Sequence, residues 1–490
     1  MSRTFWLAAL ALLAGCTVGP DYQRPDAPVP VQYKEDGWKP AQPSDVAPRG
    51  DWWAIYEDPL LDGLERQIDV SNQNLKAAEA AYRQAQAVVG EGTAGFFPTI
   101  SLTGAGTRSG GGHSNSSVTS ITGTNLSRVG PSASSIDLVA SAAWDIDLWG
   151  RIRRTVESDV ATAQASAADL ANARLSAQGQ LATLYFELRS ADQQKRLLDA
   201  SVDAFSQSLQ ITRNQYAAGT VAQTDVVTAE TQLEQTRSQA IAIGVQRAQF
   251  EHAIAALIGK PPAEFSVAPA AMPTAVPVPP AEVPSALLER RPDIAAAERL
   301  MASANAQIGV ALTGYYPDLT LSASYGFSSN RLSQLLRASN SFWSLGPQLA
   351  QTVFNGGLTA AQVAAAKATY AQNVATYRQT VLTGFQQVED DLAALRILAQ
   401  QAEVEDHTVQ LAREAERLTL NQYQQGTQPY TAVVTAQTTR LANEETALGI
   451  LQSRLVASVA LIQALGGGWS AQELPDAKQV KSDPPAEASP

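Results

Sequence analysis

The stretch "IDLVASAAWDIDLWG", residues 136–150, alternates without a break. Ile136, Leu138, Ala140, Ala142, Trp144, Ile146 and Leu148 fall on one face of an extended chain, and Asp137, Ser141, Asp145 and Asp147 on the other. A strand with an unbroken apolar face opposite aspartates suits a wall between lipid and water. A surface hairpin on a soluble sheet is the alternative reading. The next segment sets the architecture: from Arg151 to Tyr216 the chain has no proline and a single glycine, and alanine, glutamine, leucine and arginine dominate. A helix of that length rises about 100 Å at 1.5 Å per residue, longer than any globular core requires.

The same order recurs. "GFFPTISLTGAG" and "YYPDLTLSASYGF" place a proline before a strand at positions 98 and 317. In the second, Leu319, Leu321, Ala323, Tyr325 and Phe327 share a face opposite Thr320, Ser322, Ser324 and Gly326. Its partner, "FWSLGPQLAQTVFNGG" (342–357), alternates less cleanly, and Pro347 predicts a bend or a missing ladder bond. Leu358 to Tyr423 then forms a second long helix. The phrase "NQYAAGT" (214–220) returns as "NQYQQGT" (421–427), and residues 211–230 match 418–437 at eleven of twenty positions.

Val202, Phe205, Leu209, Thr212 and Tyr216, continued by Val226, Ala229, Leu233, Thr236, Ala240 and Ile243, average 3.5 residues apart, which predicts left-handed coiled-coil packing of an outgoing on a returning helix. The repeated phrase marks the hairpin tip. Tyr216 and Tyr423 are expected to close the last layer, and Gly219 and Gly426 to release the chain in the positive-φ conformation, followed by Thr220 and Thr427. Returning helices are read at 221–258 and 431–465. Leu287 to Leu312 is expected to complete the first return towards the strands, and a helix over 60–94 the second.

The first residues, MSRTFWLAALALLAGC, combine Arg3, an apolar run and small residues before the only cysteine, the pattern of an export signal. A lone cysteine excludes an intrachain disulfide. Beyond the signal no run of eighteen apolar residues is found, so membrane insertion is expected through β structure. Apolar residues at 45% against 17% charged argue against overall disorder, and a formal charge of -12 argues against nucleic acid as a partner. The segmentation read from these patterns is 1–15 signal, 16–50 extended tether, 51–96 packed aromatics (Trp52, Trp53) and helix, 97–149 first strand hairpin, and 150–260 first helical hairpin. A proline-rich link at 261–286, a helix at 287–315, the second strand hairpin at 316–357, the second helical hairpin at 358–467 and a flexible tail at 468–490 complete it.

Each chain thus supplies four strands, too few to close a barrel, and an open edge in hydrocarbon leaves backbone groups unpaired at several kcal/mol each. Chains must share one. Two copies give eight strands and a nearly solid barrel; three give twelve and a lumen.

Here the chain resembles the outer-membrane factor family, the TolC-like efflux ducts, and most closely its lipoprotein branch of the NodT and OprM type. The resembling phrases are "DWW" (51–53), "DPLLDGL" (58–64), "FELRSAD" (186–192), "NQYAAGT", "EHAIAALIGKPP" (251–262), "LLERRPDIAAAE" (287–298), "ANAQIG" (304–309) and "VFNGG" (353–357), with "YRQTVL" and "QQVEDDL" beyond. "LAGC" (13–16) resembles a lipobox, which implies a covalent lipid on Cys16, and Thr17 after it implies sorting to the outer membrane. The resemblance implies a mixed membrane α/β fold: a homotrimer sharing a twelve-stranded barrel in outer-membrane lipid, continued by an α-helical coiled-coil tunnel through the periplasm. It implies a noncatalytic exit duct without cofactors, which meets a periplasmic adaptor and an inner-membrane pump at its tips. Tyr216, Gly219, Thr220 and Asp225 on the first tip and Tyr423, Gly426, Thr427 and Gln428 on the second are the candidate adaptor-contact positions.

Asp225 aligns with Ala432, and Thr435 stands where relatives of the family carry an aspartate, so an acidic ring built from the second tip is in doubt. Glu389, Asp390 and Asp391 either coat a solvated helix or line an acidic lumen. Gly104 to Gly112 lacks the ending of a phosphate loop and is read as an extracellular loop. His113, His252 and His407 are too far apart for a local metal motif, and His252 is read as a packing or hydrogen-bonding residue. Small-molecule efflux, export of protein or polysaccharide through the same kind of duct, and a lipid-anchored envelope scaffold are the functional readings.

Overall fold

The computed structural model describes residues 17–30, 33–34, 50–109, 133–277 and 290–482. Cys16 and the signal, His113, residues 110–112 of the glycine-rich run, part of the proline-rich link and the last residues of the tail lie outside them. Among the described residues four strands, β1 (Thr99–Ser109), β2 (Ala133–Ile146), β3 (Asp318–Ser329) and β4 (Ser341–Ala350), form one antiparallel sheet in the order β1-β2-β3-β4. The glycine-rich run therefore begins inside a strand, as Gly104 and Gly106 pair with Leu138 and Ile136. β4 runs straight through Pro347, opposite Leu321, and stops at Ala350, short of Gly357.

Register carries the pattern across the sheet. Trp144 faces Leu321, Ala140 faces Tyr325 and Leu138 faces Phe327, while Asp145 faces Thr320 and Asp137 faces Ser328. The polar face is cross-linked by Thr320 donating to Asp145 (2.9 Å), Ser328 donating to Asp137 (2.5 Å) and the Ser324–Ser344 hydroxyl pair (2.9 Å). The apolar face, with Ile100, Leu102, Trp343, Leu345 and Leu349, is left exposed. A single sheet with an exposed apolar face and two unpaired edges is a section of a wall.

Below it, α1 (Pro59–Ser71) and α2 (Gln73–Ala94) precede the sheet, and the first helical hairpin consists of α3 (Arg151–Ala217) and α4 (Gln223–Leu257). After α5 (Pro292–Thr313) and the second strand pair come α6 (Leu358–Gln424), α7 (Tyr430–Ala464) and a short α8 (Ala477–Ser482). α3 and α6 both have 67 residues, α4 and α7 both have 35, and every boundary of the second hairpin lies 207 positions after its counterpart. The duplication thus holds in length as well as in the tip phrase.

The expected pairing of helix ends is exchanged. Asn72 Nδ2 donates to the Leu257 carbonyl (2.8 Å) and Ser71 Oγ to that of Ile258 (2.5 Å), so α4 abuts the start of α2. Arg291 Nη1 donates to the Ala464 carbonyl (3.1 Å), so α7 abuts α5. The reason is capping: the last carbonyls of a helix need donors, and Asn72 and Arg291 supply them. At both junctions a positive-φ glycine, Gly259 (69°) or Gly466 (95°), passes against the backbone of Ser71 or Arg290, where a Cβ would collide. Asn72 also breaks the helix expected over 60–94 by capping α2 through Leu75 N (2.9 Å).

The main core joins Trp52, Trp53, Leu61 and Ile68 to Leu181, Tyr185 and Phe186 of α3 and Leu455 and Val459 of α7. Beside it, buried Asp192 accepts from Arg189 (3.1 Å), Arg247 (2.8 Å) and the amide of Ala270 (3.1 Å), and Glu251 accepts from the amide of Val267 (2.6 Å). The phrases "FELRSAD" and "EHAIAAL" therefore clamp the link that comes after the first hairpin. α7 is long and apolar enough, by length and composition, to cross a bilayer, contrary to the expectation that no segment after the signal would be. It packs instead along α3 and α6 and buries Val433, Leu441, Leu455, Val459 and Leu461. The tail is packed as far as α8, where Val480 sits among Val89, Val156 and Val160. His252 and His407 are exposed, which removes the packing role expected of His252.

Candidate functional site

At each tip the long helix ends in the same hydrogen bonds. Gly219 N donates to the Tyr216 carbonyl (2.9 Å) and Thr220 N to that of Gln215 (3.0 Å); Gly426 N and Thr427 N repeat this with Tyr423 (2.9 Å) and Gln422 (3.0 Å). Both glycines have φ of 75°. This is the glycine-terminated helix end in which two otherwise orphaned carbonyls are satisfied, and the Thr220 and Thr427 hydroxyls add a second donor to the Gln215 and Gln422 carbonyls (2.9 and 3.0 Å).

The tyrosines are not equivalent. Tyr423 is 2% exposed and Tyr216 47%. Tyr423 closes a cluster with Phe205, Leu209, Ala229, Leu233, Tyr430 and Val433, so the layer is built between the two hairpins rather than within each. Its hydroxyl donates to Thr212 (3.0 Å), and Gln215 donates to its carbonyl (3.4 Å). One layer up, Gln437 donates to Ser208 (3.0 Å). Sequence periodicity does not single out these cross-hairpin partners; the copies differ only at the Gln437–Ser208 pair, which corresponds to Glu230 and Ala415, while the Tyr423, Thr212 and Gln215 positions are identical in both.

Asp225 occupies the first turn of α4, whereas α7 opens without an acidic residue. Burial first, then Tyr423 and Asp225, push the Tyr430 phenol up to about 12. Tyr423 is raised in the same direction by burial and Asp225, against the hydrogen bond with Thr212. Gln428 and Thr427 are exposed on the second tip. Higher up, the second hairpin carries an ionic layer in which Arg440 pairs with Glu416 (2.5 Å) and Glu444 (2.5 Å), and Arg413 with Glu444 (2.6 Å). The first hairpin has Leu209 and Leu233 at the positions of Glu416 and Arg440.

The three acidic residues of "QQVEDDL" diverge, because consecutive residues on a helix point about 100° apart. Glu389 accepts from the amide of Lys34 (2.6 Å). Asp391 lies near Arg291, and burial with neighbouring Asp390 raises it to about 7. Asp390 alone is exposed, with Gln386 donating to it (3.3 Å).

The chain after Cys16 is a fastened strap. Val18 N donates to the Trp149 carbonyl (3.0 Å), and Arg154 reaches the carbonyls of Val18 and Gly19 (both 3.2 Å) and the Asp21 carboxylate (3.0 Å). Asn305 then donates to Pro20 O (2.9 Å), Tyr22 to Glu298 (2.5 Å) and Arg24 to Tyr377 (3.1 Å), and Tyr33 is buried against Tyr377, Val381 and Met301. Thr17 packs on Gly150, the residue between β2 and α3.

A family model described as outer membrane efflux protein matches residues 64–260 and 283–467. The chain is 29% identical over 470 residues to the toluene efflux pump outer membrane protein TtgC of Pseudomonas putida, covering 94% of each. It is 30% identical over 474 residues to the pyoverdine export outer membrane protein OpmQ of Pseudomonas aeruginosa, covering 96% of this chain and 97% of the relative. A solved structure of the outer-membrane channel OprN superposes with a TM-score of 0.81 at 29% identity, over 93% of this chain and all of that one.

Proposed function

Because the chain belongs to the outer membrane efflux protein family, we propose that it is the outer-membrane exit duct of a tripartite efflux pump, of the resistance-nodulation-division kind. The observation that carries this is the sheet with an exposed apolar face and two open edges, set directly on hairpins about 100 Å long. Three copies close it into a twelve-stranded barrel with an aqueous lumen. Substrate enters at the tips and diffuses out, with the energy supplied by the inner-membrane pump. The cargo is small molecules, in line with the toluene efflux of TtgC and the pyoverdine export of OpmQ.

The periplasmic adaptor docks at Tyr216, Gly219, Thr220 and Asp225 of one tip and Tyr423, Gly426, Thr427 and Gln428 of the other. Cys16 carries a covalent lipid; the fastening of Thr17 at the strand-to-helix boundary supports this, because that is the level at which acyl chains enter the inner leaflet. Of the acidic triplet, Asp390 is the member assigned to the lumen, since it alone is exposed, whereas Glu389 accepts from the Lys34 amide and Asp391 is half-buried near Arg291.

The test is conductance of the purified protein in planar bilayers, paired with the susceptibility of a deletion strain to solvents, dyes and antibiotics. Cation-preferring channels and a sensitised strain are expected. A protein that forms no channels, with a strain of unchanged susceptibility, overturns the reading in favour of a scaffold.

A further inference from the structure

The sheet stands on the helices at one end only. α2 leads into Thr99 and α3 follows soon after Ile146, so the β3–β4 connection, residues 330–340, lies at the far end. It reads NRLSQLLRASN and holds no aspartate or glutamate. Leu332 and Leu336 are exposed by 72 and 69%, and Arg331 and Arg337 beside them are exposed as well. Exposed leucines interleaved with arginines are the composition of a segment that lies at a lipid surface.

A third arginine reaches the same rim from the sheet. Arg108 pairs with Ser134 and so shares the exposed apolar face of Ile100 and Leu102. It stands two residues, about 7 Å, beyond the level of Gly106, Ile136 and Ser329, where the connection begins. Two strand spacings, about 10 Å, separate β1 from β3. Just inside this height Tyr325 faces Trp343 on the apolar side, and an aromatic band of that kind marks the headgroup level. Beneath Arg108, Gly104 and Gly106 leave the apolar face of β1 bare, beside Leu138 and Ile136; a Cβ at Gly106 would meet nothing within 4 Å. Asp137, the carboxylate at this end of the sheet, lies on the opposite face and accepts from Ser135 (2.8 Å) and Ser328 (2.5 Å). Among the described residues the apolar side of the rim is therefore cationic, with no carboxylate to balance it.

We propose that Arg108, Arg331 and Arg337 bind the phosphates of a phosphorylated glycolipid of the outer leaflet, with an acyl chain along Gly104 and Gly106 and with Leu332 and Leu336 among its neighbours. A guanidinium presents a planar fork that matches a phosphate. Three of them spread over about 10 Å suit a headgroup with two phosphates better than the single phosphate of a glycerophospholipid. The occupant is a lipid and not a soluble anion because the charges are continuous with the lipid-facing surface and alternate with leucines. Its acyl chains cover the bare trough while its headgroup neutralises the rim. This inference rests on the outer-membrane duct reading and adds to it the class of lipid that the barrel selects.

The experiment uses the full-length trimer in mild detergent, stripped of co-purified lipid, with native mass spectrometry after adding diphosphoryl lipid A, monophosphoryl lipid A or phosphatidylglycerol. Retention of the diphosphoryl form, up to one per chain, is expected, with the monophosphoryl form held less and phosphatidylglycerol least. Replacing Arg108→Gln, Arg331→Gln and Arg337→Gln together should weaken that retention about tenfold or more, as loss of charge-assisted phosphate contacts requires, while the trimer and its channels in planar bilayers persist. Equal retention of phosphatidylglycerol, or unchanged retention in the triple variant, shows a nonselective lipid shell and overturns the site. A parent protein that conducts but retains no lipid A overturns the site alone; one that retains lipid A but forms no channels overturns the duct and keeps the site. As a second measurement, Leu332→Ser with Leu336→Ser should reduce the rise in heat-dissociation temperature that diphosphoryl lipid A produces. An equal loss of stability in lipid-free detergent assigns the leucines to a neighbouring copy and overturns their place in the lipid.

Discussion

The two helical hairpins have the same lengths, the same glycine turn and the same hydrogen bonds at the tip, yet they are filled differently. Leu209 and Leu233 form an apolar layer in the first, while Glu416 and Arg440 form an ion pair in the second. Phe205 is fully buried where the second hairpin has Ala412. Duplication preserved the backbone and relaxed the side chains. The consequence is that the seam inside a protomer is apolar and tyrosine-locked, whereas the corresponding positions on the outer helices, Glu234 for Leu441 and Ala412 for Phe205, are more polar or smaller.

The largest expected effect breaks this contrast at its apolar end. Phe205→Ala removes a ring enclosed by Tyr423, Tyr430 and Val433, and such truncations cost about 3–5 kcal/mol. The corresponding position already holds Ala412, so no comparable loss is available there. Thermal unfolding followed by circular dichroism, with proteolysis at the tips, is expected to show first-hairpin loosening for Phe205→Ala. An unchanged melting profile would mean that the cluster contributes nothing to the seam.

Next in size is the ionic layer. Arg440→Leu leaves Glu416 and Glu444 facing each other at sites of low exposure, a loss of about 2–3 kcal/mol, below the full cost for a buried pair because some solvent reaches them. Adding Glu416→Leu recreates the Leu209–Leu233 layer of the first hairpin, and Glu444 keeps Arg413 at 2.6 Å. The double variant is expected to be more stable than Arg440→Leu alone. If it is less stable, the two layers are not interchangeable and the repeat has diverged in backbone as well as in filling.

Much of this architecture is legible in the residues. Strand alternation around Trp144 and Leu321, the helix extents and the glycine turns follow from local periodicity and from the φ that only glycine adopts freely. Three features are not, each for the same reason. The burial of Tyr423 against exposed Tyr216, the exchange of helix ends at Asn72 and Arg291, and the strap from Val18 to Lys34 all depend on residues far apart in sequence. Periodicity reports which face a residue occupies, and it does not report what covers that face. The acidic triplet shows the same limit, since three adjacent carboxylates look like one feature in the sequence and meet three environments in the fold.

The smallest effect sharpens the comparison at the mouth. Asp225 sits in the first turn of α4, where a carboxylate favours the positive end of the helix dipole by about 0.3–1 kcal/mol. α7 has Ala432 in its place. Asp225→Ala should therefore lose about 0.5 kcal/mol and Ala432→Asp gain a similar amount, both shrinking with salt. Tyr430 gives an independent reading, since its phenol is pushed from 10.0 up to about 12 by burial, Tyr423 and Asp225. A folded-state pKa above the unfolded one means that stability declines as pH rises from 10 towards 12, when the unfolded phenol has lost its proton and the folded one still holds it. Burial is the larger cause and survives the substitution, so Asp225→Ala should move the absorbance titration of Tyr430 down only slightly and leave most of the decline in place. A return of Tyr430 to its ordinary value in Asp225→Ala would show that the charge, not the cover supplied by the first hairpin, governs the second tip.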